Sequence, residues 1–185
     1  MSRSQSKKTW FTADLHLGHL GILKMCDRPF DIIDEMDECI LHEINTCVRR
    51  DDILYILGDF CWGARKVGHY RQRIECREVH LIQGNHDRNS AATHFSTCNR
   101  LLEISPYGQR ITLCHCPFVT WPGEAMGAWN LYGHCHSNRE EMLNSIWPKR
   151  KATDVGVDHA LQCLGMLKPF SFDILKEVFD ARSAA

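Results

Sequence analysis

Five times along this chain a short apolar run ends in a side chain able to bind a metal ion, and that recurrence restricts the fold more than any bulk property does. Residues 10–13 lead to Asp14 and His16, 53–57 lead through Gly58 to Asp59, and 79–82 lead through Gly84 to Asn85. Residues 111–114 lead to His115, and 130–132 lead through Gly133 to His134 and His136. Each run is rich in β-branched, Leu or aromatic residues and suits a buried strand. In open α/β sheets ligands bind at the carboxyl ends of the strands, so five such ends can converge on one place. The set comprises two Asp, one Asn and four His. Those oxygen and imidazole donors suit a pair of divalent cations rather than one structural zinc.

Helical spacing fills the gaps. Met36, Ile40, Ile44, Cys47 and Val48 recur at three and four residues, which predicts a helix over 33–49 capped by Asp31 or Asp34. Further helices are expected at 63–76, 90–97 and 172–182, the last with Ser171 as N-cap and Leu175, Val178 and Phe179 facing inward. Strands are expected at 101–105, 110–115, 129–132 and 152–157, and 117–127 reads as a loop. Two sets of strands with helices outside them suggest two sheets packed as a sandwich.

The pieces Asp14-Leu15-His16, Gly58-Asp59, Gly84-Asn85-His86-Asp87, His115 and Gly133-His134-Cys135-His136 stand in the order of the calcineurin-like metallophosphoesterase signature. From about Phe11 to Val155-Gly156-Val157-Asp158 the chain resembles that superfamily. Residues 11–19 with Cys26-Asp27-Arg28-Pro29-Phe30 look like its small single-domain bacterial and phage-type branch. The resemblance implies the metallo-dependent phosphatase fold, an α/β four-layer α-β-β-α sandwich with two mixed sheets flanked by helices.

It also assigns Asp14, His16 and His136 to one metal and Asn85, His115 and His134 to the other. Two cations roughly 3.5–4 Å apart need a ligand that touches both, and a carboxylate has two oxygens to do so, so Asp59 is expected to bridge. The expected cofactor is two divalent ions, with Mn²⁺ activating and Fe, Zn, Co or Ni as other occupants. The expected reaction is in-line attack on phosphorus by a hydroxide bridging the metals. His86 is expected to give a proton to the departing alkoxide, with Asp87 orienting its ring. Outside this motif the same residues read as a turn histidine and a helix cap. His19 either faces the cleft or caps the helix after it. Arg28 and Arg88 either clamp a phosphate or are solvated surface residues.

The expected function is hydrolysis of phosphodiesters, and secondarily phosphomonoesters, of small organic or nucleotide-like substrates. A nuclease and a noncatalytic scaffold on the same fold are the alternatives. The first wants a basic groove. The second tolerates lost ligands, and here every one is present.

Composition narrows the setting. At 185 residues and 44% hydrophobic the chain reads as one domain over 9–182 behind a flexible tail at 1–8. A net charge of −1 and a pI near 6.8 show no basic field, so nucleic-acid binding is not indicated. No apolar run approaches the roughly 20 residues needed to span a bilayer, and 1–8 lacks the apolar core of a signal peptide, so a cytoplasmic location without membrane partners is expected. The ten cysteines are expected to be reduced and mostly buried, with Cys61, Cys114, Cys116 and Cys135 beside proposed ligands.

Overall fold

Successive side chains of a strand point to opposite faces, and here both faces are apolar. In the computed structural model, which describes residues 6–184, strand β2 (Ile53–Ile56) sends Leu54 and Ile56 into one hydrophobic cluster and Ile53 and Tyr55 into another. The first sheet runs β4 (Thr97–Asn99), β3 (Glu78–Ile82), β2, β1 (Thr9–Thr12) and β9 (Phe170–Ser171). Its first four strands are parallel and β9 is antiparallel to β1. The second sheet runs β5 (Leu101–Ile104), β6 (Ile111–Cys114), β7 (Trp129–Tyr132) and β8 (Ala152–Asp154). Only its β5–β6 pair is antiparallel. Both sheets are therefore mixed.

Helices α1 (Leu20–Met25), α2 (Ile33–Cys47) and α3 (Val67–Gln72) cover the outer face of the first sheet. They bring Ile22, Met36, Ile40, Ile44, Val67 and Tyr70 onto Leu54, Ile56, Val79 and Leu81. Between the sheets lie Phe11, Tyr55, Ile82, Ile111, Leu113, Trp129 and Leu131. Helices α5 (Val157–Leu164) and α6 (Phe172–Ala184) add Ala160, Leu175 and Phe179 to that layer. Helix α4 (Glu140–Ile146) meets the second sheet through a buried polar group: Glu140 takes hydrogen bonds from the Tyr132 hydroxyl, from Arg150 at 2.9 Å and from Thr153 at 3.2 Å.

Several expected boundaries shift. Helix α2 ends at Cys47, and its N-cap is Ile32 without a side-chain cap, so neither Asp31 nor Asp34 caps it. Asp34 and Glu35 instead sit in the first turn, where the helix dipole favours negative charge. The helix expected at 63–76 is a 3₁₀ turn at Ala64–Lys66 running into α3, and 90–97 is a 3₁₀ turn at Asn89–His94 followed by β4. The end of the strand expected at 152–157 is the start of α5. Ser171 does cap α6, accepting from Ile174 N–H at 3.2 Å. All ten cysteines are free thiols, but only Cys61 and Cys76 are buried, which corrects the expectation that most would be. Of the 1–8 tail, residues 1–5 lie outside the described residues, while Lys7 pairs with Glu78 and Lys8 N–H donates to Asp52, each at 2.9 Å. Among the described residues no helix is long and apolar enough to cross a membrane.

Phe179 is fully buried, with its ring 4.8 Å from that of Trp129. Phe179→Ala is expected to cost about 3–5 kcal/mol of unfolding free energy, measured by urea denaturation. A loss below about 1 kcal/mol would show that the second sheet does not depend on this contact.

Candidate metal centre

The loops leaving β1 and β2 remain hydrogen-bonded past the end of the sheet. Asp14 N–H donates to Gly58 O at 3.0 Å, His16 N–H to Asp59 O at 2.9 Å, and Leu17 N–H to Phe60 O at 3.2 Å. Beyond β8, Gly156 bridges to Ala13, and Val157 N–H donates to Ala13 O at 3.1 Å, which ties the second sheet to the first. The chain is strained where it turns inward. Asp14, His16, Asp59, His134 and His136 all have φ between 47° and 68°. Such left-handed conformations cost a non-glycine residue on the order of 1–3 kcal/mol and concentrate at functional sites. Two glycines make room for the carboxylates. A Cβ on Gly84 would lie 2.3 Å from Asp59 Oδ1, and one on Gly133 would lie 2.6 Å from Asp14 Oδ2.

The seven residues expected as ligands come together. Asp14 is 0% exposed; its Oδ2 accepts from His134 N–H at 2.8 Å, and its Oδ1 has no hydrogen-bond partner. His16 Nε2 is likewise buried without a partner and lies 3.6 Å from Asp59 Oδ2. The same Asp59 oxygen lies 3.4 Å from His115 Nε2, so this carboxylate stands between the two histidines. Asn85 Oδ1 lies 2.9 Å from His115 Nε2 and 3.0 Å from His134 Nδ1. His136 stacks on His16 with ring centroids 5.2 Å apart. Donor atoms of Asp14, His16 and His136 fall within 4.8 Å of one another, as do those of Asp14, Asp59 and His115. Buried polar atoms normally find partners, and two orphaned donors aimed into a cluster of carboxylate, amide and imidazole groups fit divalent cations.

Protons take up the positive charge that cations would supply. Burial, with Asp154 adding to it, pushes Asp14 up to about 8. Burial would lower His115, but the Asp59 hydrogen bond and the Asp14 charge raise it to about 9. His136 opposes its own burial through its hydrogen bond to Asp158 and rises to about 10. His16, without such a bond, is driven by burial down to about 3.

The remaining expected residues fall in different places. His86 is exposed; its N–H donates to Asp59 Oδ1 at 2.9 Å, and its ring lies 5.4 Å from that of His16. Asp87 does not orient it. Its two oxygens accept from Asp59 N–H at 2.8 Å, Gly84 N–H at 2.9 Å and Phe60 N–H at 3.1 Å, so this side chain ties the β3 loop to the β2 loop. His19 occupies the N-cap position of α1 but makes no capping bond; its ring lies flat on Trp62, 4.1 Å away, at the rim of the cluster. Arg28 is neither a phosphate clamp nor a surface residue. It is 4% exposed, forks onto both oxygens of Asp158 at 2.8 Å, and donates to the carbonyls of Asp14 at 2.7 Å and Leu15 at 2.9 Å. Arg88 is exposed and lines a cleft of about 750 Å³ beside Asn85 and His115.

Sequence reasoning missed Asp158, which holds His136 Nδ1 at 2.6 Å, and Arg100, which lines the same cleft as Arg88. Asp158 closes the family-like segment, but no local pattern marks its partners. Cys26 forms a third donor group with His136 and Asp158. Both Asp158 oxygens, however, are already engaged by Arg28 and His136.

Residues 7–175 match the family model for calcineurin-like phosphoesterases. An uncharacterized protein of Methanocaldococcus jannaschii is 31% identical over 176 residues, covering 94% of this chain and 92% of that one. The gene 66 protein of Mycobacterium phage L5 is 29% identical, covering 81% of this chain and 86% of its own. The crystal structure of a protein of unknown function from Aquifex aeolicus superposes with a TM-score of 0.75 at 22% identity, over 94% of this chain and 100% of that one.

The metal-stripped protein should lose stability as pH rises through the alkaline range. His115 and His136, raised from 6.5 to about 9 and about 10, stabilise the fold fully below pH 6.5 and lose that contribution as pH passes those values. Asp14, raised from 3.8 to about 8, acts in the same direction up to about pH 8. His16 opposes them only below pH 6.5. Denaturation midpoints with chelator present should therefore fall from pH 6.5 to 9, and added divalent metal should flatten the decline because ligands bind metal deprotonated. A stripped protein that gains stability over this window would contradict the proton assignment.

Proposed function

The chain belongs to the calcineurin-like phosphoesterase family, and on that premise we propose that it is a dinuclear metal-dependent hydrolase of phosphodiesters, and secondarily of phosphomonoesters, on small organic or nucleotide-like substrates. The observation that carries this reading is the pair of orphaned buried atoms, Asp14 Oδ1 and His16 Nε2, within a cluster of seven donors. Asp14, His16 and His136 would hold one ion and Asn85, His115 and His134 the other, with Asp59 shared. Bound ions, Mn²⁺ in our assignment, would clamp the phosphoryl oxygens and acidify a water for attack on phosphorus.

The protein's own groups supply position and a proton. Asp158 fixes the His136 ring through Nδ1. Leu57 O does the same for His115, at 2.8 Å from its Nδ1. Asn85 contributes an oxygen without charge, so the site keeps a positive excess toward a phosphate. His86, anchored by its backbone to Asp59 and exposed at the ring, protonates the leaving oxygen. The Trp62 ring lies 5.3 Å from that of His86.

Chelation should abolish hydrolysis of bis(p-nitrophenyl) phosphate, and Mn²⁺ should restore it. Asp59→Asn should lose activity together with metal, because it removes the charge that both ions would share. Elemental analysis finding two tightly held ions in Asp59→Asn would overturn the shared-ligand assignment.

His86→Ala should retain both metals yet slow esters of poor alkoxide leaving groups by about 10²–10⁴-fold, while nitrophenyl esters, whose leaving group needs little help, lose far less. Equal losses on both classes, measured as kcat/KM at matched metal content, would make His86 a positioning residue.

A further inference from the structure

The wall of the cleft on the Asn85 and His115 side carries more positive charge than one phosphate requires. Arg88 and Arg100 both line it. Their closeness follows from topology. Leu101 pairs with Cys114 across the antiparallel β5–β6 ladder, so the preceding Arg100 stands next to the following His115, at the crossing from the first sheet to the second. Arg88 arrives from the other direction, just past Asp87 on the β3 loop.

Both guanidinium groups are exposed, and neither meets a carboxylate among the described residues. Elsewhere on the surface Arg73, Arg77 and Arg110 pair with Glu38, Asp51 and Glu103. The one carboxylate lining the cleft, Asp87, is turned away onto three backbone N–H groups. Gln83, Asn89 and Ser90 add neutral polar groups to the same wall. A scissile phosphate would sit at the donor cluster, and these arginines stand beside it on the wall of the same cleft.

We propose that Arg88 and Arg100 form a subsite for a second phosphate of the substrate, so that the preferred substrate is a nucleotide-like ester carrying two phosphate groups rather than an isolated phosphoester. This rests on the reading of the cluster as a phosphoesterase centre. Guanidinium groups suit the role because each offers paired N–H donors to phosphate oxygens and cannot lose its charge.

The test is calorimetric binding to the full chain loaded with Mn²⁺, comparing thymidine 3′,5′-bisphosphate with thymidine 5′-monophosphate. Hydrogen bonds to charged groups imply a preference for the bisphosphate of about tenfold to a hundredfold. In Arg88→Gln/Arg100→Gln the two affinities should converge to within about twofold, and Arg100→Lys should restore part of the preference. Both positions are exposed, and circular dichroism is to verify that the variants fold. The dinucleotide pTpT, measured alongside, separates the two sources of a second phosphate. Binding like the bisphosphate indicates a nucleic-acid strand, and binding like the monophosphate a small bisphosphate. Equal wild-type affinity for the bisphosphate and the monophosphate, or a preference that survives the double substitution, overturns the proposal. Hydrolysis of the p-nitrophenyl ester of thymidine 5′-phosphate is followed separately. Its absence with the binding preference intact strikes the hydrolase reading and leaves the anion subsite standing.

Discussion

A carboxylate removed entirely from water must be met by positive charge or by a proton, and Asp14 is removed entirely. Much of the surrounding architecture follows from that one group. Gly133 and Gly156 leave the space a Cβ would need, since a side chain on either would stand within 3 Å of Asp14 Oδ2. His134 turns its N–H onto the same oxygen. Arg28, through the Asp14 carbonyl, fixes the backbone that carries the carboxylate without reaching the carboxylate itself. The opposite oxygen is left without a hydrogen-bond partner.

Around this core lies a support of alternating charge. Arg28 binds Asp158, and Asp158 binds His136, whose ring stacks on His16. Asp158 shows how the balance is struck: burial alone would raise its pKa, but the His136 and Arg28 hydrogen bonds hold it at about 2. A buried ion pair of this kind adds little net stability, because desolvation consumes most of the Coulomb gain, yet removing one partner strands the other. Its contribution is orientation. It fixes the angle of a histidine that stands within the donor cluster.

The strand ends were legible in the sequence because each strand ends in an apolar stretch that breaks off at a polar or metal-competent residue, after Ile82 in β3 and after Cys114 in β6. The family-like order of the five motifs identified which of those residues gather. Roles that depend on where a side chain points were not legible. Asp87 follows His86 in sequence yet faces the backbone of Asp59 and Phe60. Arg28 sits in a Pro-containing turn that reads as surface, but its partner lies on α5, which the periodicity did not reveal. Arg88 and Arg100 are separated by a 3₁₀ turn and a strand, so no run of charge announced them, and a near-neutral chain conceals a locally cationic wall.

The bridge from Ala13 to Gly156 gives the centre a place in the folding order. Its contacts join residues at opposite ends of the chain: Arg28 and Asp158 are 130 positions apart, and His134 and Asp14 are 120. Closing loops of that length is slow, so such contacts form after the local helices and neighbouring strands. The donor groups of the two sheets therefore come together only once both sheets have docked. Assembly of the donor cluster is in this sense a late event, complete only when Asp158, on α5, has reached Arg28 and His136.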